Sequence, residues 1–188
     1  MSTLTDRSGR ALLVIDVQND VVGQAYDRDA VVGRIATLVD GARAGGVPVV
    51  WIQHNDDYLS VGSDDWKIVD VLLPADDEPR IDKQYRSSFE STPLEDTLAA
   101  LGVDSLILCG AETNNCVRHT MHAALERGYD VVLVSDAHTT WHGTWGDVSV
   151  DGRTIIDEQN RSAQGYALPG RGSDTRTTAE VLASFSPA

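Results

Sequence analysis

Four short runs of branched aliphatic residues leave few folds open to this sequence. They are Ala11–Val17 (ALLVIDV), Val49–His54 (VVWIQH), Ser105–Gly110 (SLILCG) and Asp130–Ala137 (DVVLVSDA). None alternates cleanly between apolar and polar residues. Such near-continuous runs suit strands buried on both faces, the usual state of a parallel sheet. Helical spacing fills the gaps between them. Val31, Ile35, Leu38, Val39 and Ala42 recur at threes and fours, until Ala44–Pro48 (AGGVP) stops the pattern with glycine and proline. Thr92, Pro93 and Glu95 read as a capping box with an N1 proline, and Leu94, Leu98 and Leu101 form an apolar face ending at Gly102. Val117, Met121, Ala124 and Leu125 mark a further helix closed by Gly128. Strands alternating with helices predict an α/β fold with a parallel sheet.

The rest of the chain is less regular. The polar stretch 55–66 reads as a loop, 138–152 as a loop or short hairpin, and 154–164 as helical. Residues 168–174 (LPGRGSD) read as a turn region, and 177–185 as a final helix capped by threonine. No repeat, low-complexity tract or linker interrupts the 188 residues, so a single domain spanning 1–188 is expected. A net charge of −14 argues against nucleic acid and anionic membranes as partners and is compatible with neutral or cationic small molecules. Two cysteines, Cys109 and Cys116, are too few for a disulfide framework, which fits a cytoplasmic setting. The first ten residues show no signal peptide, and no apolar run is long enough to span a membrane.

Ligands of open parallel sheets bind beyond the carboxyl ends of the strands. Asp16 sits at the end of the first run. Cys116, in GAETNNCV (110–117), stands where the third strand stops and a helix begins. A thiol there faces unpaired N–H groups and the positive end of the helix dipole, which favour thiolate. Asp16 is the candidate proton acceptor. Lys83, in RIDKQYRSSF (80–89), can run toward the same edge and stabilise a thiolate. Each residue also has a plain structural reading: Cys116 as a buried filler, Asp16 as a turn or capping residue, Lys83 as a solvated lysine. Cys109, inside its strand, reads as inert packing. Asn114 and Asn115 read as turn-shaping residues, because asparagine tolerates left-handed backbone.

Taken in order, LLVIDVQND (12–20), KQYRSSF (83–89) and GAETNNCV (110–117) resemble three motifs of the isochorismatase-like cysteine hydrolases, a superfamily that includes nicotinamidases and N-carbamoylsarcosine amidases. The resemblance covers about 11–140. It implies a Rossmann-like fold whose doubly wound, mainly parallel sheet has helices on both faces. It places Asp16, Lys83 and Cys116 on the catalytic aspartate, lysine and cysteine. It also implies a cis peptide between Ala111 and Glu112, with the Glu112 and Cys116 N–H groups forming an oxyanion hole. The implied reaction is cleavage of a C–N bond in a small amide, carbamoyl compound or lactam through a thioester, and the net charge of −14 points to a cationic one. Fast alkylation of Cys116 at neutral pH, slowed by Asp16→Asn or Lys83→Ala, is the expected signature. Isochorismatase-type vinyl ether hydrolysis and a non-catalytic binding or redox-sensing module are the alternatives.

The nicotinamidases carry an Asp-x-His metal motif after the second strand, whereas this chain reads Ile52-Gln53-His54. The pairs His119/His122 and His138/His142, the latter read as loop residues, lack the acidic partners of a zinc motif. No metal and no cofactor are expected. Gln18, Asn19, His54, Tyr85, Phe89 and Trp141 are candidates for the substrate pocket, and the resemblance implies a homo-oligomer, dimer or tetramer.

Overall fold

The computed structural model describes residues 2–185; residue 1 and residues 186–188 of the expected domain lie outside the described part. Seven strands form one sheet: β1 (Gly9–Ile15), β2 (Val49–His54), β3 (Arg80–Lys83), β4 (Val103–Ala111), β5 (Asp130–Thr139), β8 (Ala167–Leu168) and β9 (Arg171–Arg176). Their order is β3-β2-β1-β4-β5-β9-β8, parallel throughout except for β8 against β9. β6 (Gly143–Trp145) and β7 (Val148–Val150) form a separate antiparallel hairpin.

The apolar runs behave as their composition requires. Leu12 and Val14 face one core while Ala11, Leu13 and Ile15 face the other, all essentially without solvent exposure. The first core is closed by α1 (Arg28–Ala44) and α5 (Thr178–Phe185), the second by α2 (Leu94–Ala100) and α3 (Arg118–Arg127), with Ala163 of α4 (Gly152–Ala163) joining it. The sheet is doubly wound, with helices on both faces.

Four local readings change. The segment at Lys83 is a true strand, paired in parallel with β2 so that His54 stands beside Lys83. Residues 171–176, of which 171–174 read as part of the turn region 168–174, form a parallel strand on β5, and their N-terminal half pairs with β8. The capping box at Thr92 is half made. Thr92 Oγ1 accepts from the Leu94 N–H, but Glu95 turns away to the Arg7 guanidinium at 3.1 Å and the Tyr129 hydroxyl at 2.9 Å. A reciprocal box forms at the last helix instead, where Thr177 and Glu180 satisfy each other's N–H groups. Leu101 lies past the end of α2 and is partly exposed, so Leu94 and Leu98 alone make that helix's buried face.

Candidate active site

From β1 the chain winds outward through β2 and β3, then returns to lay β4 on the other side of β1. The order therefore reverses between β1 and β4, and such a reversal opens a crevice at the strands' carboxyl ends. Asp16 stands at this point, one residue beyond β1, with φ of 48°. That left-handed backbone is strained for most residues and tolerated by aspartate. Its N–H donates to the Ile52 carbonyl, fixing it against β2. Across the crevice Gly110 has φ of 116°, and a Cβ there would sit 2.0 Å from the Ile15 carbonyl oxygen. Only glycine lets the two strand ends approach this closely. The Ala111–Glu112 peptide bond is cis.

Beyond it the chain does not enter an α-helix directly. Thr113–Val117 forms a wide π-type turn, and α3 starts after it, so Cys116 lies inside the turn rather than at an α-helix N-terminus. Such turns occur mostly as single insertions at functional positions. Asn115 shapes it by donating to Glu112 Oε2 at 2.6 Å, and Asn114 Oδ1 accepts from the Thr140 hydroxyl at 2.8 Å. Neither asparagine adopts left-handed backbone; their side chains do the work.

Lys83, the last residue of β3, reaches past the end of β2. Its Nζ lies 2.7 Å from Asp16 Oδ2, 3.2 Å from Cys116 Sγ and 3.3 Å from His54 Nδ1. The Lys83 and Asp16 side chains are almost completely shielded, at 0% and 1% exposure. Burial pulls the Lys83 ammonium down, but Asp16 and Cys116 outweigh it and hold the group above its ordinary range as a cation. The helix-terminus effect that favours thiolate does not prevail at Cys116. Burial pushes Cys116 up to about 12, the Asp16 charge adds to this, and Lys83 opposes it. The resting sulfur is therefore a thiol. Cys109, fully buried, is pushed up by burial alone.

A buried polar spine supports the turn from behind. Thr113 Oγ1 lies 2.9 Å from His138 Nδ1, and His138 Nε2 lies 2.9 Å from Asn160 Oδ1 on α4. Asn160 Nδ2 donates to the Ser135 carbonyl, so its oxygen faces the histidine. His138 is thus a buried member of β5, not a loop residue. Burial lowers it to about 4, so it stays neutral.

A cleft of about 250 Å³ adjoins this centre, lined by Asp20, Val21, His54, Asp56, Tyr58, Leu59, Glu112 and Trp141. Of the pocket candidates, His54 and Trp141 face it. Trp141 is anchored by its indole N–H on the Val21 carbonyl. Gln18 is fully buried and clamps the His54 backbone instead. Asn19 donates to the Asp64 carbonyl, Tyr85 is largely exposed, and Phe89 packs in the core against Tyr129. The structure therefore does not gather these four around the cleft. The sequence does not single out Asp56 or Tyr58, which lie in a segment without periodicity, and it names Glu112 only for its backbone N–H.

At the place of the Asp-x-His motif, Ile52 is a buried core residue and both ring nitrogens of His54 already have partners. The residues there do not fit a metal ion, and among the described residues no group of three or more histidine, cysteine, aspartate or glutamate residues is arranged to hold one. Among the described residues no helix is long and apolar enough to cross a membrane.

A model of the isochorismatase domain matches residues 10–152. This chain belongs to the isochorismatase family. It is 32% identical over 168 residues to the ureidoacrylate amidohydrolase RutB of Methylobacterium radiotolerans, an alignment covering 67% of this chain and 65% of that protein. It is 36% identical over 141 residues to a streptothricin hydrolase of Streptomyces noursei, covering 72% of this chain and 56% of that one. The chain thus spans less than two thirds of the length of these curated relatives. A solved isochorismatase structure from Pseudomonas putida superposes with a TM-score of 0.83 at 25% identity, covering 91% of this chain and 89% of the other.

Proposed function

We propose that this isochorismatase-family chain is a cysteine amidohydrolase that cleaves a C–N bond of a small amide, carbamoyl compound or lactam through a thioester. One observation carries the reading: a buried lysine ammonium within contact distance of both a carboxylate and a thiol. The names of the two relatives, one of them for a ureido substrate, support the bond type.

In this reading Asp16 removes the Cys116 proton as the substrate carbonyl arrives. The Lys83 ammonium steadies the charge on sulfur as the proton leaves; the sulfur then attacks the carbonyl carbon and the charge passes to the carbonyl oxygen. The Glu112 and Cys116 N–H groups hold the oxyanion. Asp16 gives the proton to the departing nitrogen as the C–N bond breaks, leaving the acyl thioester. Asp16 then takes a proton from water, the hydroxyl adds to the acyl carbon, and the C–S bond breaks. The carboxylic acid departs and the proton returns to Cys116. In this order the sulfur becomes a nucleophile only when Asp16 takes its proton.

The cleft lining supports a cationic substrate. Asp20, Asp56 and Glu112 supply carboxylates and Tyr58 and Trp141 supply aromatic faces, with neither lysine nor arginine in the lining. A homo-oligomer, dimer or tetramer, in the cytoplasm, belongs to the same proposal; the exposed Tyr58, Val71 and Leu73 side chains support assembly, and sedimentation checks it. The functional test is a panel of cationic and neutral amides read by ammonia or amine release. The expected outcome is turnover with an acyl-enzyme on Cys116 by mass spectrometry, abolished in Cys116→Ala. Amide hydrolysis that survives Cys116→Ala would show that no thioester on this cysteine is needed and would defeat the proposal.

A further inference from the structure

Lysine ammonium has three N–H donors and accepts nothing. Three groups surround the Lys83 ammonium: it is ion-paired with Asp16 Oδ2 and in hydrogen-bond contact with Cys116 Sγ and His54 Nδ1. We propose that His54 is a positioning residue for Lys83: its Nδ1 takes the third N–H and so aims the other two at the carboxylate and the sulfur. The proposal rests on reading Asp16, Lys83 and Cys116 as the catalytic group, and it gives His54 a task other than metal binding.

Several independent features converge on the ring. Because an ammonium only donates, Nδ1 must present its lone pair, and the ring proton must be on Nε2. Nε2 indeed faces a carboxylate, Asp56 Oδ2, at 3.2 Å. Asp56 is itself fixed, since its Oδ1 accepts from the N–H groups of Tyr58 and Leu59, each at 2.8 Å. Those two bonds, then His54, keep the carboxyl below its ordinary range, so an anion meets the ring. The His54 backbone is pinned by Gln18, whose Oε1 accepts from the His54 N–H at 2.8 Å and whose Nε2 donates to the His54 carbonyl at 2.9 Å. Parallel register places His54 directly beside Lys83, so their side chains leave the sheet on one face. Ring, tautomer and strand are all set before the ammonium arrives, which is how an outer residue holds an inner one in reacting geometry.

Without the third acceptor, the freed N–H turns toward a second contact with Asp16 and draws the ammonium away from sulfur. Two variants and one spectrum test this. Nitrogen-15 NMR of the wild-type histidines should show the Nε2–H tautomer at His54. His54→Leu, folded by circular dichroism, should lower kcat on an amide substrate about 100-fold with KM little changed, the scale of a misplacement near 1 Å. It should also slow alkylation of Cys116, because Lys83 no longer opposes the rise in the thiol's pKa. His54→Asn keeps an acceptor near the Nδ1 position and should recover both. An Nδ1–H tautomer overturns the proposal, as does His54→Leu with unchanged kcat and labelling. A rise in KM alone would assign His54 to substrate contact instead. Tautomer and labelling need no substrate, so they decide the role of His54 even where the amidohydrolase reading fails.

Discussion

Asp16→Asn should separate two properties that the sequence alone would join, the ability to turn over substrate and the reactivity of the resting thiol. The carboxylate and the sulfur both touch Lys83 Nζ, at 2.7 Å and 3.2 Å. They can therefore be no more than about 6 Å apart, and at an effective dielectric near 20 a unit charge at that distance is worth about 3 kcal/mol. Removing the Asp16 charge then raises the thiolate fraction about 100-fold. A more acidic thiol is a weaker nucleophile, with a Brønsted slope near 0.5, so the net gain in alkylation rate is about tenfold. Turnover should move the other way, falling by about 10²–10⁴ with the loss of the general acid and base. The assay is iodoacetamide labelling at neutral pH, followed by peptide mass spectrometry, with the fully buried Cys109 as the silent internal control. Labelling that slows together with turnover would refute the reasoning. It would mean that Asp16 already holds the Cys116 proton in the resting protein.

Lys83→Met should abolish turnover and slow labelling, and by leaving Asp16 buried without its counter-ion it should cost about 3–5 kcal/mol in urea unfolding. The neutral, buried His138 predicts acid sensitivity. Its folded-state value of about 4 lies below the ordinary 6.5, so its contribution is complete above 6.5 and is lost as pH falls through the window down to about 4. The loss should reach about 3 kcal/mol between unfolding curves at the two ends, and His138→Gln should flatten that dependence. Gly110→Ala should destabilise by more than about 4 kcal/mol or fail to accumulate as soluble protein, because its Cβ meets the Ile15 carbonyl and its backbone has positive φ.

What could be read in advance follows the range of the forces involved. Burial on both faces leaves a continuous apolar signature, so β1, β2, β4 and β5 were legible, and with them the positions of Asp16 and Cys116 at strand ends. β9 was not: Arg171–Arg176 is polar, only Ser173 is buried, and the strand exists because β5 and β8 supply its backbone partners. β3 is four residues long with charge at three of them, and a lysine with 0% side-chain exposure cannot be told from a solvated one by its letter. Local position at Cys116 suggests a helix dipole that lowers the thiol, whereas desolvation and a carboxylate from a distant strand raise it. The half-made box at Thr92 has the same cause, since Arg7 and Tyr129 compete for Glu95 from far along the chain.

The spine from Thr113 through His138 to Asn160 bears on where this protein can be cut. The isochorismatase match stops at residue 152, yet Asn160 lies beyond it, as do Gln159, whose Oε1 accepts from Arg118 just after the sulfur, and all of β9, which covers the free side of β5. A chain trimmed at the end of the domain match would keep every residue named in the chemistry. It would lose the backing that keeps the cysteine's loop from sagging, so a segment outside the domain match serves as the buttress of the most reactive atom.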